Sequence, residues 1–215
     1  ETVRIGIDVT SKSQAQAKYS NMIVTSSTPY LWINAAEVAF LKAEYELRWG
    51  TKDAAKALYE QAIRLSFEDK GAKDADAYIA DKTRKPAAYN DPLGNYSATA
   101  LSSITIAWED DSAEGADKAA IKERNLERII TQKWIANFPM GLEAWAEFRR
   151  TGYPELAPAI DNLSGGVISD NFRGLRRLRY PYTERNLNKS NYDKAVALLG
   201  GTDNESVDLF WTKKK

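Results

Sequence analysis

Two stretches that repeat apolar residues at helical spacing are separated only by Gly50-Thr51. A break this short leaves one arrangement: the second helix turns back along the first. Residues 28–49 read as the first helix, capped by Thr28 with Pro29 in its first turn. Trp32, Ala36, Ala39, Phe40, Ala43 and Leu47 form one stripe, and Val38, Leu41 and Tyr45 a second, leaving Glu37, Glu44 and Arg48 for solvent. A helix apolar on two sides is expected to pack between neighbours. Residues 52–67 read as the second helix, capped by Thr51, with Ala55, Leu58, Tyr59, Ala62 and Leu65 turned inward. Alanines on both partners let the backbones approach closely, so 29–67 is an antiparallel helical hairpin.

The rest of the chain is also mostly helical in pattern. Residues 3–9 alternate like a strand and 10–21 form a polar loop. A short helix is expected over 73–81, then a loop at 82–97 holding Pro86, Pro92 and Gly94. The apolar run 104–108 is either extended or helical. Residues 109–117 hold five acids and no base, an exposed loop without the ligand order of a calcium-binding EF-hand. A long helix follows over 118–138, with Leu126, Ile130, Trp134 and Phe138 at intervals of four, closed by Pro139. The next helix carries Trp145 and Phe148 and ends on Arg149-Arg150-Thr151-Gly152-Tyr153-Pro154, a glycine exit before a proline stop. Residues 155–175 are irregular, Tyr180-Pro181-Tyr182 reads as a turn, and 190–199 make a last helix ended by Gly200-Gly201.

Composition narrows the chemistry. The 215 residues hold 30 basic and 30 acidic side chains, so no global field favours nucleic acid or an anionic membrane. With no histidine and no cysteine, Ser-His-Asp and Cys-His triads, thiolate catalysis and His- or Cys-ligated metal sites are excluded. The acids fall mostly on helix faces at salt-bridge spacing, and no catalytic constellation, metal site or cofactor site emerges. A carboxylate-dependent glycosidase is kept only because such pairs are assembled in space. Six basic residues in 173–189 (Arg173, Arg176, Arg177, Arg179, Arg185, Lys189) face one acid, Glu184. Without net positive charge this segment reads as structural or interfacial, not as a nucleic-acid surface.

The run from Ile130 to Pro154, with its tryptophans, paired arginines and helix terminators, resembles the signature of SusD-like (SusD/RagB) proteins. These are glycan-binding lipoproteins of the Bacteroidetes outer membrane. Arg176-Arg177-Leu178-Arg179-Tyr180-Pro181, followed by Glu184, Asn188, Asn191-Tyr192 and Ala195, is similar to a second stretch of that family. Phe210-Trp211-Thr212-Lys213 stands where the family often has Trp-Trp-Asp-Lys. The hairpin in turn resembles one tetratricopeptide unit, with Ala43, Ala55, Tyr59 and Ala62 matching; no second copy follows.

The resemblance implies a mainly α fold: a tetratricopeptide-like helical hairpin plus further helices, short strands and long loops. It makes 1–215 the C-terminal portion of a SusD-like domain, lacking an N-terminal half that would also carry the lipid anchor. The implied function is binding, not catalysis, of an oligosaccharide or other nutrient at the cell surface. The implied partner is a SusC-like TonB-dependent transporter. A helical protein–protein scaffold is the main alternative. Within this chain Trp134, Trp145 and Tyr153 are read as structural by their helical spacing. Tyr89, Tyr96 and Trp108, on or beside the proline-rich loop, are the candidate ligand contacts, because rigid loops presenting aromatics grip sugars. The hairpin's unshared apolar faces predict that the segment is not a stable, monodisperse domain alone.

Overall fold

The computed structural model describes residues 20, 25–92, 97–159, 162–168 and 174–210. The strand expected at 3–9, most of the polar loop after it, Tyr96 and Trp211 lie outside these. Among the described residues there are seven helices, and β-structure is confined to the isolated bridge residues Tyr89 and Ala98. The mainly α class expected from the pattern holds. The chain divides into two compact units, one of residues 22–89 and 99–155, the other of 1–21, 90–98 and 156–215.

The first of these units is built on the hairpin. Helix α1 spans Ala35–Trp49 and α2 spans Lys52–Asp69. Thr51 caps α2 as expected, its hydroxyl accepting the Ala54 N–H at 3.2 Å. The start of α1 differs from the sequence reading. Its cap is Asn34, whose side-chain oxygen accepts the Glu37 N–H at 2.6 Å, and Trp32 lies before the helix, 83% exposed. Thr28 is spent in a turn of its own, its hydroxyl accepting the Thr25 N–H at 2.8 Å. Asn34 wins because an extended residue with a short amide satisfies an orphan N–H in the first turn. Gly50 ends α1; a Cβ there would sit 3.1 Å from the Glu46 Cα and overlap the Glu46 carboxylate.

Between α1 and α2 the small residues do what their size allows. Ala36, Ala39, Ala43, Ala55 and Ala62 are buried, and Phe40 meets Tyr59 edge to face, ring centroids 6.3 Å apart. A third helix, α4 (Lys118–Ala136), adds Leu126, Ile129 and Ile130 to the same core. Each fully buried side chain of this size stabilises by about 1.5–3 kcal/mol relative to exposure. Asp117 caps α4 by accepting the Ala120 N–H at 3.0 Å. Short α3 (Ala75–Ile79) packs at the margin, and Tyr78 exchanges hydrogen bonds with Gln132 of α4. The run 104–108 is irregular; Ile104 and Ala107 are buried and the Tyr59 hydroxyl donates to the Ile106 carbonyl at 2.7 Å.

Helix α5 spans Gly141–Thr151 and ends at Gly152, whose φ of 84° places it in the left-handed region and whose N–H reaches the Phe148 carbonyl at 2.7 Å. The glycine exit read from the sequence is therefore real. The four-residue stack on α4 is only half so: Leu126 and Ile130 are buried, while Trp134 is 37% exposed and Phe138 lies beyond the helix, more exposed still. Trp145 on α5 is 39% exposed.

On α1 the stripe of Ala36, Ala39, Phe40, Ala43 and Leu47 is buried as its spacing predicts, but the second apolar stripe and two of the acids change places. Glu37 and Glu44, assigned to solvent, are buried, and the stripe of Val38, Leu41 and Tyr45 is exposed. The reason lies in the signature segment. Lys133 of α4, 2% exposed, bonds Glu147 of α5 at 2.8 Å and approaches Glu37 at 3.5 Å. Asn137 donates to Glu37 at 3.0 Å and accepts from Asn34 at 3.2 Å. Arg150 reaches both Glu44 and Glu147. Charged side chains are buried on this face because each finds an opposite charge or a hydrogen-bond partner there to offset its loss of water.

In the other unit, α6 (Tyr182–Leu187) stands in continuation of the expected turn at 180–182, and α7 (Lys189–Leu198) is the expected last helix. Helix α6 goes beyond the turn that the sequence predicts, because Pro181 immediately precedes the first helical residue, a place where its fixed φ suits a helix start. The basic segment meets acids from further along the chain: Arg176 pairs with Asp208 at 2.9 Å, Arg177 with Asp203 at 2.5 Å and Arg179 with Glu205 at 2.7 Å. The Arg176 N–H also donates to the Glu205 carbonyl at 2.9 Å. This is a structural zipper, in keeping with the structural reading of those arginines.

Candidate functional site

A cleft of about 320 Å³ opens beside Trp108, within the unit built on the hairpin. Its buried lining is Leu47, Ile121 and Asn125, and its exposed lining includes Lys52, Lys56, Asp53, Asp110, Lys118 and Lys122. The segment that carries Trp108 is pinned to α4 by three side chains. Asn125 accepts the Glu109 N–H at 3.1 Å and donates to the Glu109 carbonyl at 2.9 Å. Arg128 donates to the Thr105 carbonyl at 3.0 Å. Arg124 grips the Glu109 carboxylate with two nitrogens, at 2.8 and 2.5 Å. The Arg124 hydrogen bonds hold that carboxyl below the usual carboxylate range, against the opposing effect of partial burial and with help from Arg128.

Four of the five acids of 109–117 are thus spent on protein partners. Glu109 belongs to Arg124 and Arg128, Asp111 pairs with Lys52, Asp110 accepts the Ser112 N–H at 2.7 Å, and Asp117 caps α4. Their pairing leaves the cleft mixed in charge, with lysines and aspartates interleaved around one indole.

Trp108 itself is half-buried, its ring 5.5 Å from that of Tyr59 and tilted by 50°. One side rests on the core while the residue also lines the cleft. Tyr89 is half-buried and is not among the residues lining that cleft. Tyr96 lies outside the described residues. The three candidate aromatics are therefore not brought to a common wall by the described structure. Arg124, Asn125 and Arg128, which set the position of Trp108, were not singled out in the sequence. The signal available was that they share one flank of a helix otherwise committed to the core.

The signature residues are placed by the same unit. Arg149 lies over the Trp145 ring, 4.4 Å from its centroid, and the Tyr153 hydroxyl donates to Glu123 at 2.8 Å. Arg150 is consumed by Glu44 and Glu147.

The SusD-like family model, described as "Susd and RagB outer membrane lipoprotein", matches residues 1–212. No curated protein matches the chain. Among solved structures, a SusD homolog from Bacteroides uniformis is 49% identical, with a TM-score of 0.79 over 91% of this chain and 40% of its own. A SusD homolog from Bacteroides thetaiotaomicron is 41% identical, with a TM-score of 0.84 over 99% of this chain and 45% of its own. A chitin-binding SusD homolog from Flavobacterium johnsoniae is 41% identical, with a TM-score of 0.73 over 86% of this chain and 37% of its own. The chain spans less than half the length of each of these relatives. The match of the family model over nearly every residue, with the hairpin and signature helices where they stand, places this chain in the SusD-like family.

Proposed function

We propose that this chain is the C-terminal portion of a cell-surface, lipid-anchored protein that binds oligosaccharides without cleaving them. It passes them to a SusC-like TonB-dependent transporter of the outer membrane. The observation that carries this reading is the family membership across residues 1–212, joined by a chitin-binding relative at 41% identity. The arrangement of side chains supports binding over turnover. The cleft carboxylates Glu109 and Asp111 are held in ion pairs, and a paired carboxylate is a poor proton donor at neutral pH. Lysines, aspartates and one indole around an open cleft suit a polar ring with apolar faces, which is the surface a pyranose presents.

Within this chain Trp108, Tyr89 and Tyr96 are the proposed ligand contacts. Calorimetry with a panel of oligosaccharides, chito-oligosaccharides included, tests the proposal on the full chain and on Trp108→Phe and Tyr89→Ala. Binding that weakens about tenfold or more in either variant, with no release of reducing sugar, supports it. Turnover abolished by one carboxylate substitution would move the protein to the glycosidases instead.

A further inference from the structure

Two pairs of lysines, each pair one helical turn apart, line the Trp108 cleft: Lys52 and Lys56 on α2, Lys118 and Lys122 on α4. All four are exposed. Four acids line the same cleft, Asp53, Glu109, Asp110 and Asp111, so by lining alone the charges cancel. Following each acid to its partner changes the balance. Glu109 is held by Arg124 and Arg128, neither of which lines the cleft, and four lysines then face three aspartates. Asp111 goes to Lys52. Hydrogen bonds from Ser112 hold the Asp110 carboxyl below its ordinary value, with help from the charges of Lys52 and Lys56. Asp53 lies one turn before Lys56 on α2. The pair on α2 is thus answered by acids, and the pair on α4 is not. Among the described residues neither Lys118 nor Lys122 meets a carboxylate, and the Lys122 ammonium donates to the Arg48 carbonyl at 3.3 Å. Like charges at this spacing repel along a helix, and an anion seated beside both relieves that repulsion.

We propose that the cleft takes an acidic saccharide, one bearing a single carboxylate or sulfate group, with a sugar ring on Trp108 and the anionic group bonded by Lys118 and Lys122. This rests on the reading of Trp108 as a ligand contact and narrows the class of sugar it grips. An ammonium offers three donors and no acceptor, and its bond to an anion is about twice as strong as its bond to a neutral hydroxyl. The excess of one positive charge matches one anionic group on the sugar. A polyanion such as nucleic acid would bring further charges against Asp53 and Asp110, which stand among the lysines.

Calorimetry on the full chain with matched pairs of sugars tests this. The pairs are cellobiose with cellobiouronate, chitotetraose with a hyaluronan tetrasaccharide, and N-acetyllactosamine with its 6-sulfate. The variants are Lys118→Gln, Lys122→Gln, Trp108→Phe and, away from the cleft, Lys73→Gln. In at least one pair the acidic member binds about tenfold or more tighter than the neutral one. That advantage falls in Lys118→Gln and Lys122→Gln, persists in Lys73→Gln, and shrinks in about 0.5 M NaCl. Trp108→Phe weakens both members of the pair. An advantage confined to the sulfated sugar assigns the anion as sulfate, and one confined to the uronates assigns it as carboxylate. Equal binding within every pair overturns the inference and leaves Trp108 a contact for neutral sugars. An acidic preference that both α4 lysine variants retain overturns it too, since the charge is then read elsewhere. Absence of binding by every sugar overturns it together with the reading of Trp108 as a contact.

Discussion

Glu44 in α1 and Arg150 in α5 meet fork to fork, the two guanidinium nitrogens 2.7 and 2.6 Å from the two carboxylate oxygens, across 106 residues of chain. Arg48 donates a further bond to Glu44 at 2.7 Å, and Glu147 is shared by Arg150 at 2.6 Å and Lys133 at 2.8 Å, so these charges form one network. Burial would raise the Glu44 carboxyl, but the hydrogen bonds and charges of Arg150 and Arg48 outweigh it and leave its pKa lowered. The hairpin and the signature helix are thus joined by charge where hairpins of this type are usually pictured as joined by apolar contact.

Replacing Arg150 with alanine leaves Glu44 buried on Arg48 alone, and is expected to cost about 1.5–3 kcal/mol. Arg150→Lys recovers only part of this, since an ammonium cannot match the fork. The sign of the pH dependence follows from the lowered pKa. The contribution of Glu44 is present above its unfolded pKa, near about 4.3, and is lost as pH falls through the lower folded value. Urea titrations at pH 7 and below pH ~4 therefore show a gap between wild type and Arg150→Ala that narrows in acid. An equal gap at both would remove Glu44 from the account.

The same cluster explains what could and could not be read from the sequence. The hairpin, the caps at Thr51 and the exit at Gly152 follow from local rules, in which a residue and its partner lie within one turn. The burial of Glu37 and Glu44 does not, because it depends on Lys133, Asn137 and Arg150 about a hundred residues away. Pattern reading assigns a charged stripe to water by default, and that default fails when another element offers a matching set of charges. For the candidate site the sequence pointed to Trp108, but not to Asn125 and Arg128, which hold its segment through backbone groups and so leave no complementary residue type to notice.

Glu127 is the opposite case to Glu44. It is buried, its carboxylate takes the Ser102 hydroxyl, and burial raises its pKa, with Glu155 and Glu123 adding to the rise against the Ser102 bond and Arg128. A raised carboxyl favours the folded state at low pH and costs stability as pH rises through the folded value. Glu127→Gln keeps an acceptor for Ser102 and removes the charge. It is expected to raise Tm at pH 7, and the gain is expected to vanish below pH ~4, where both residues are neutral. A lowered Tm at pH 7 would mean that the Arg128 attraction outweighs burial.

Arg177 and Asp203 are both almost fully buried and 2.5 Å apart, with Asp203 also accepting the Tyr180 N–H at 3.3 Å. Burial opposes ionisation of Asp203, yet Arg177 and these hydrogen bonds hold its pKa lowered. Asp203→Asn keeps the shape and leaves the guanidinium buried without its counter-charge, at a cost of about 3–5 kcal/mol in the cooperative unit to which the zipper belongs. Hydrogen exchange reads the effect locally: amides of 176–180 and 203–208 lose protection first, while α1 and α2 keep theirs. Uniform loss across both units would make the zipper part of one global transition.

Tyr59 connects the core to the cleft. Its ring is fully buried between Phe40 and Trp108, and its hydroxyl donates to the Ile106 carbonyl at 2.7 Å, two residues before Trp108. Burial raises the pKa of that hydroxyl, so it remains a donor through the range in which an exposed tyrosine ionises. Tyr59→Phe retains the packing and frees the Ile106 carbonyl, and is expected to cost about 0.5–1.5 kcal/mol. Because Asn125, Arg128 and Arg124 still pin the flanking residues, Trp108 stays in place but its segment loosens. The amides of 104–109 then exchange faster while those of α2 do not, and the indole emission of Trp108, read against a Trp108→Phe background, shifts toward the red as water gains access. If Trp108 grips a sugar, affinity falls in Tyr59→Phe with no contact removed, since the ligand must then order a segment that the hydroxyl formerly held. Unchanged affinity beside faster exchange at 104–109 would separate Trp108 from the binding surface and leave it a core residue.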